Sequence, residues 1–228
     1  MNWIFYSKIF LLILESIAFV TALCTFKYHN AVFRLFFFDL LFIFLLEHAG
    51  MIVGEISPNS RFTHSISNLF LLAEIPIIYL CALKLIPSHF FQRLASVSIA
   101  LFLVLWVKNA YESKFFILPT FPTMPFLFGS IFALIIFLVI LIRMIGRDNI
   151  FKQPLFYFSL GMLIFYGCTI PYIGVVNYFV KKDNNILLKL VQILFVSNYI
   201  RYSLFAISYI VLARQQKARK LQETIATA

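Results

Sequence analysis

Acidic residues are scarce in this chain. Asp and Glu together number 9 in 228 residues, and all charged residues make up 12%. A water-soluble domain carries roughly twice that share of charge, so a single soluble globule built around one core is excluded. Cysteine is also rare. Cys24, Cys81 and Cys168 stand alone inside apolar stretches, without the paired spacing of a disulfide framework or a thiolate metal site, and read as small buried hydrophobes. No His-x-x-x-His or His-Glu-x-x-His occurs, which removes the zinc-hydrolase pattern, and no Gly-x-Ser-x-Gly elbow occurs either. The last apolar run has no central lysine to carry a retinal Schiff base. No cofactor is implied.

What the chain has in abundance is hydrophobic residues, 62% of the total, gathered in long uninterrupted runs. A hydrocarbon core of ~30 Å takes about 20 apolar helical residues per crossing, because no water is present there to satisfy the backbone. Seven runs meet this need: Ile9 to Phe26, Ala31 to Val53, Ile66 to Ile86, Leu94 to Val107, Met124 to Ile145, Pro154 to Val176 and Ile186 to Ala213. The fourth, ending near Trp106, is the shortest. Continuous runs such as Ile131 to Ile142 lack the alternation of a membrane β-barrel. The first run begins too late and lacks a small-residue cleavage site, so it reads as a retained helix. The expected fold is all-α, a polytopic bundle over residues 1–213 followed by a basic tail over 214–228.

Charge on the connections gives an orientation. Lys27, Arg34, Lys84, Arg93, Arg143, Arg147, Lys152, Arg214, Lys217, Arg219 and Lys220 fall on one side, against Lys8, Arg61, Lys108, Lys114, Lys181 and Lys182 on the other. The positive-inside rule then places the N-terminus outside and the C-terminus in the cytoplasm of a cell membrane, most simply a bacterial inner membrane. The net charge of +10 is accounted for by topology and anionic headgroups, with the lipid bilayer as partner and no nucleic acid.

Four acids and one arginine lie inside the runs: Glu15, Asp39, Glu47, Glu74 and Arg201. Each costs a few kcal/mol at membrane depth unless paired, protonated or hydrated, so each is expected to face the interior. At ~1.5 Å per residue, Glu15, Glu47 and Glu74 come out ~9 to 12 Å below the outer boundary, and Asp39 and Arg201 at ~21 to 24 Å. This predicts an acidic outward cavity above a structural ion pair of Asp39 with Arg201. Ser197 and Asn198 extend the polar stripe of Arg201, and His48 points almost opposite Asp39. Glu15, Glu47, His48, Glu74, Tyr166 and Tyr172 are the candidate ligand- or proton-binding residues. One arginine cannot neutralise four acids, so some are protonated, wet or matched by a cationic ligand.

Leu221, Ile225 and Ala228 recur at helical spacing after Arg214, so helix seven is expected to continue as an amphipathic extension. This tail resembles the linker into the dimerisation helix of bacterial sensor histidine kinases with multi-helix membrane modules. The seven-run layout, with acids in the early helices and Asn198-Tyr199-x-Arg201 in the last, also resembles small seven-helix membrane proteins of Bacteroidota-type bacteria. The resemblance implies a sensor or receptor-like module. No kinase phosphoacceptor or ATP-binding region follows, so output would pass through helix seven and the tail to a cytoplasmic signalling partner, and a homodimer is compatible. Two alternatives stand beside this: a proton- or cation-coupled small-solute transporter using the same carboxylates, and a lipid-modifying enzyme built on Glu47, His48 and Glu74.

Overall fold

The computed structural model describes residues 2–56, 62–112, 123–146, 149–179 and 184–226. Of the charges used for orientation, Arg61, Lys114, Arg147, Lys181 and Lys182 lie outside the described residues. Among the described residues, seven α-helices run in chain order: α1 (Asn2–Cys24), α2 (Ala31–Ile56), α3 (Phe62–Leu85), α4 (His89–Glu112), α5 (Thr123–Met144), α6 (Pro154–Phe179) and α7 (Asn184–Ala226). Among the described residues, all but α3 are long and apolar enough to cross a membrane. Phe10, Phe42, Leu80, Val104, Ile142 and Ile207 are among the large apolar side chains left exposed on α1 to α5 and α7, the surface of a protein solvated by lipid. The chain is thus an all-α, membrane-spanning bundle.

Local chemistry explains the helix ends. Asn30 caps α2, its Oδ1 accepting from the Val32 and Phe33 amides at 3.1 and 3.0 Å. Gly146 takes φ +88° just after α5, the left-handed stop that glycine adopts without strain. Pro154 opens α6, where its missing N–H costs nothing.

One expectation needs correction. Helix four is not short: it has 24 residues because polar Gln92, Arg93, Lys108 and Glu112 extend the turns beyond the apolar run, with Lys108 and Glu112 an exposed pair at 3.7 Å. His64 lies inside α3 and His89 opens α4. Pro171 does not end helix six, which stays helical to Phe179. The tail, by contrast, continues α7 without interruption to Ala226, as its spacing implied.

The helices form a ring in the order α1, α2, α3, α5, α6, α7, with α7 returning to α1 and α4 lying outside against α3 and α5. The tightest seam is between α6 and α7. A Cβ added to Gly161 on α6 would sit 3.3 Å from the Arg201 carbonyl oxygen and 3.4 Å from its Cα, so the two backbones nearly touch there. Ser208 locks the same seam by donating to the Pro154 carbonyl at 2.7 Å. On the opposite side, Ile75 fills the notch left by Gly129 on α5.

The corner between α1 and α2 buries a histidine. His29 is 5% exposed, stacks on Tyr209 of α7 at 5.0 Å and meets Thr25 Oγ1 through Nε2 at 3.2 Å. Burial, reinforced by nearby Arg34, pushes its imidazole down to about 4. The folded protein therefore resists a proton that the unfolded chain takes up near 6.5, so this contribution is complete above 6.5 and lost as pH falls toward 4.

Two outcomes are expected from thermal and chemical unfolding in detergent. Gly161→Ala presses its methyl on the Arg201 backbone and destabilises measurably, and Gly161→Leu forces α7 off α6 and destabilises further, by about 1–3 kcal/mol. His29→Phe keeps the stack on Tyr209 and removes about 2–3 kcal/mol of the stability lost between pH 7.5 and 4.5 in the parent. An unchanged acid limb in His29→Phe would refute the assignment.

Candidate functional site

The centre of the ring holds a buried cation. Arg201 is 1% exposed and projects from α7 across the middle of the bundle, where its Nη2 donates to Glu74 Oε1 of α3, itself 1% exposed. Aromatic rings complete the cage. The guanidinium carbon lies 4.2 Å from the Phe165 ring centroid, 5.4 Å from Phe205 and 5.7 Å from Tyr202, so ring faces replace water around the charge.

The expected ion pair of Asp39 with Arg201 is therefore wrong in its acid. The physical reason is helix rotation, which depth along the axis does not capture: Ile75 seats in the notch at Gly129 on α5, and that turns Glu74, one residue earlier, toward the ring centre and the arginine. Asp39 is 1% exposed on α2 and lies within electrostatic range of both Glu74 and Arg201. Neither of its carboxylate oxygens has a hydrogen-bond partner among the described residues.

The other acids surround this pair without joining it. Glu15 on α1 is fully buried, near Glu47 and Arg201, and both its carboxylate oxygens are also without a partner among the described residues. Glu47 on α2 is only partly buried and accepts a long 3.4 Å bond from the Tyr202 hydroxyl. Tyr166 on α6 is buried beside Glu74. The expectation that Glu15, Glu47 and Glu74 line a cavity open to the outside is corrected accordingly: Glu15 and Glu74 are sealed inside the bundle, because α7 closes against α1 as well as α6.

Several candidates are not brought to the cluster. His48 donates within its own helix, from Nδ1 to the Phe44 carbonyl at 2.8 Å, and faces a lateral groove of about 570 Å³ between α1 and α2 with Ile13, Ser16, Ile17 and Met51. Glu47, His48 and Glu74 thus do not form one acid/base group. Ser197 and Asn198 both donate to the Leu194 carbonyl, at 2.8 and 3.0 Å, and so are satisfied within α7. Tyr172 is partly buried against the apolar core. No group of three or more His, Cys, Asp or Glu side chains able to hold a metal ion occurs among the described residues.

Sequence reading missed the floor of the site. Phe36 of α2, Phe158 of α6 and Phe205 of α7 stack face to face, with centroids 3.7 and 4.1 Å apart. These rings lie one turn closer than Arg201 and Asp39 to the α1–α2 corner, where Tyr209 meets His29. In a chain rich in phenylalanine, nothing distinguishes three stacking rings from lipid-facing ones. Position 161 did carry a signal, an isolated glycine in an apolar helix being the mark of a close helix crossing.

The fold and this interior define a polytopic helical membrane protein with a buried acid–arginine cluster. No family model matches the chain, and no curated protein or solved structure shows significant similarity to it.

The pairing is open to a double-mutant cycle read by unfolding in detergent. Arg201→Met strands Glu74 and costs about 3–5 kcal/mol, whereas Arg201→Met combined with Glu74→Gln recovers a large part of that loss. Asp39→Asn, which breaks no bond, is expected to change stability by less than about 1 kcal/mol. Loss on Asp39→Asn equal to that on Glu74→Gln would make Asp39 the true partner.

Proposed function

We propose that this chain is a seven-span sensor module of the cell membrane, with its N-terminus outside and its C-terminus in the cytoplasm. Occupancy of the buried acid cluster, by protons or by a small cation, is transmitted along α7 to a cytoplasmic partner. The observation that carries this reading is the continuity of α7. One 43-residue helix holds Arg201 at the cluster and runs on to Ala226. From Arg201 to Lys220 the rise is roughly 28 Å, so a small rotation set by the Glu74 pair is delivered intact outside the bilayer.

Charge balance supplies the switch. Among the described residues, Glu15 and Asp39 have no hydrogen-bond partner for either carboxylate oxygen, and an uncompensated carboxylate in a low-dielectric interior is costly. Occupancy by a proton or a small cation would remove that cost. Losing one adds negative charge beside Arg201, competes with Glu74 for the guanidinium and biases the seat of α7. The bundle also accommodates a homodimer through its lipid-facing helices.

A proton- or cation-coupled carrier is the second reading, favoured by one specific feature. Glu15, Glu47, Glu74 and Asp39 all lie within electrostatic reach of the one guanidinium, and proton-coupled carriers use such intramembrane acids as relays. The enzyme reading loses its acid/base group to the separation of His48 from Glu74.

Spin-label or fluorophore pairs between Lys152 and Gln222 positions in proteoliposomes test the proposal. A pH-dependent distance change that Glu15→Gln and Asp39→Asn abolish, with no proton flux, is the expected result for a sensor. Proton-driven flux lost on Glu74→Gln would replace it with the carrier. A static tail together with no flux would sink both.

A further inference from the structure

The cluster of positive charge at the foot of α7 has a role that topology alone does not explain. Past the end of α1, Lys27 and Tyr28 form part of a short 3-10 turn, and this turn meets the extension of α7. There Lys27, Tyr28, Lys217, Lys220, Leu221 and Thr224 enclose a cavity of about 340 Å³. The three ammonium groups converge on one aromatic ring, with Nζ of Lys27 5.2 Å, of Lys217 6.0 Å and of Lys220 5.9 Å from the Tyr28 centroid. Among the described residues, no carboxylate lines the cavity.

A ring face attracts a cation, but one tyrosine does not offset the mutual repulsion of three lysines drawn to the same spot. Charge-assisted hydrogen bonds to a multiply charged anion would, and lysines from two separate segments leave room for it between them. The location names the source. Lys27 lies three residues beyond Cys24, where the apolar stretch of α1 ends, and Lys217 lies four beyond Ala213, so the cavity stands at headgroup level beside the exposed apolar flank of α1. Free phosphate would be bound equally well by the lysines alone, but only a lipid also satisfies that flank with its acyl chains.

The geometry points to a headgroup site: Lys27, Lys217 and Lys220, around Tyr28, bind the phosphate of an anionic phospholipid. The bound lipid bridges the α1–α2 corner to the extension of α7 and so fixes where the helix leaves the membrane. This holds whether the bundle senses or transports.

The test uses the purified full-length protein in neutral detergent, titrated with dioleoyl phosphatidic acid, dioleoyl phosphatidylcholine or inorganic phosphate while thermal unfolding is followed. Phosphatidic acid is expected to raise the midpoint saturably, and phosphatidylcholine is expected not to. Near an anionic surface each lysine is worth about fivefold in affinity, so Lys27→Gln/Lys217→Gln/Lys220→Gln should weaken the response by about two orders of magnitude. The single variant Lys217→Gln, at an exposed position, should weaken it about fivefold. Lys84→Gln/Arg93→Gln/Lys108→Gln removes the same charge elsewhere and should leave the response intact. Equal weakening by the two triple variants would show a diffuse charge effect and overturn the site. Full stabilisation by inorganic phosphate, with no further gain from the lipid, would overturn the lipid assignment in favour of a free anion.

Discussion

A guanidinium cannot be left bare in the middle of a hydrophobic bundle, and the placement of Arg201 organises much of what surrounds it. Its charge is met by Glu74 on one side and by the faces of Phe165, Phe205 and Tyr202 on others. Each partner is delivered by packing one step removed. Ile75 drops into the notch at Gly129, and because successive helical residues diverge by about 100°, seating Ile75 against α5 turns Glu74 away from α5 toward the ring centre. Gly161 lets α6 approach the Arg201 backbone itself, which brings Phe165, one turn along, over the guanidinium. Two glycines thus determine which groups the arginine can reach.

Alpha7 has an unusual combination of properties for a helix that carries a buried charge. It contains neither glycine nor proline over its 43 residues, so nothing in its sequence invites a kink. Its extension is held from both sides of the same end of the bundle. Gln215 donates to the Lys152 carbonyl at 2.6 Å on the α5–α6 side, and the Lys217 and Lys220 ammonium groups approach Tyr28 on the α1–α2 side. Displacement of Arg201 therefore reaches two connections at once.

The apolar runs made most of the fold legible. They named seven helices and located their centres, because a membrane interior punishes any polar residue that the run contains. Helix ends were less legible, since the turns that extend α4 and α7 past the hydrocarbon are built from Gln, Arg, Lys and Glu, which form helix well in water and carry no apolar signal. The partner of Arg201 was less legible still: depth along the runs sets Asp39 level with Arg201, yet Glu74 makes the bond because Ile75, seated at Gly129, turns it to the ring centre. The five intramembrane charges themselves were readable as interior residues, and four of them are buried to 1% exposure or less. Which of them touch was not, because pairing depends on rotation and on neighbours such as Gly129 whose effect appears only in three dimensions.

The Phe36–Phe158–Phe205 stack bears on how the cluster can act. It draws one ring each from α2, α6 and α7, and it stands between the acids and the corner where His29 meets Tyr209. A carrier that moves a proton or a cation past this level must part those rings, separating α6 from α7 at the seam that Gly161 and Ser208 hold closed. The proposed sensor needs no such opening, because α6 and α7, joined at that seam, can tilt as one body with Phe158 still on Phe205 and convey the state of the cluster through α7. The tightness of the α6–α7 seam therefore weighs toward a module that transmits motion along α7 rather than one that conducts across it.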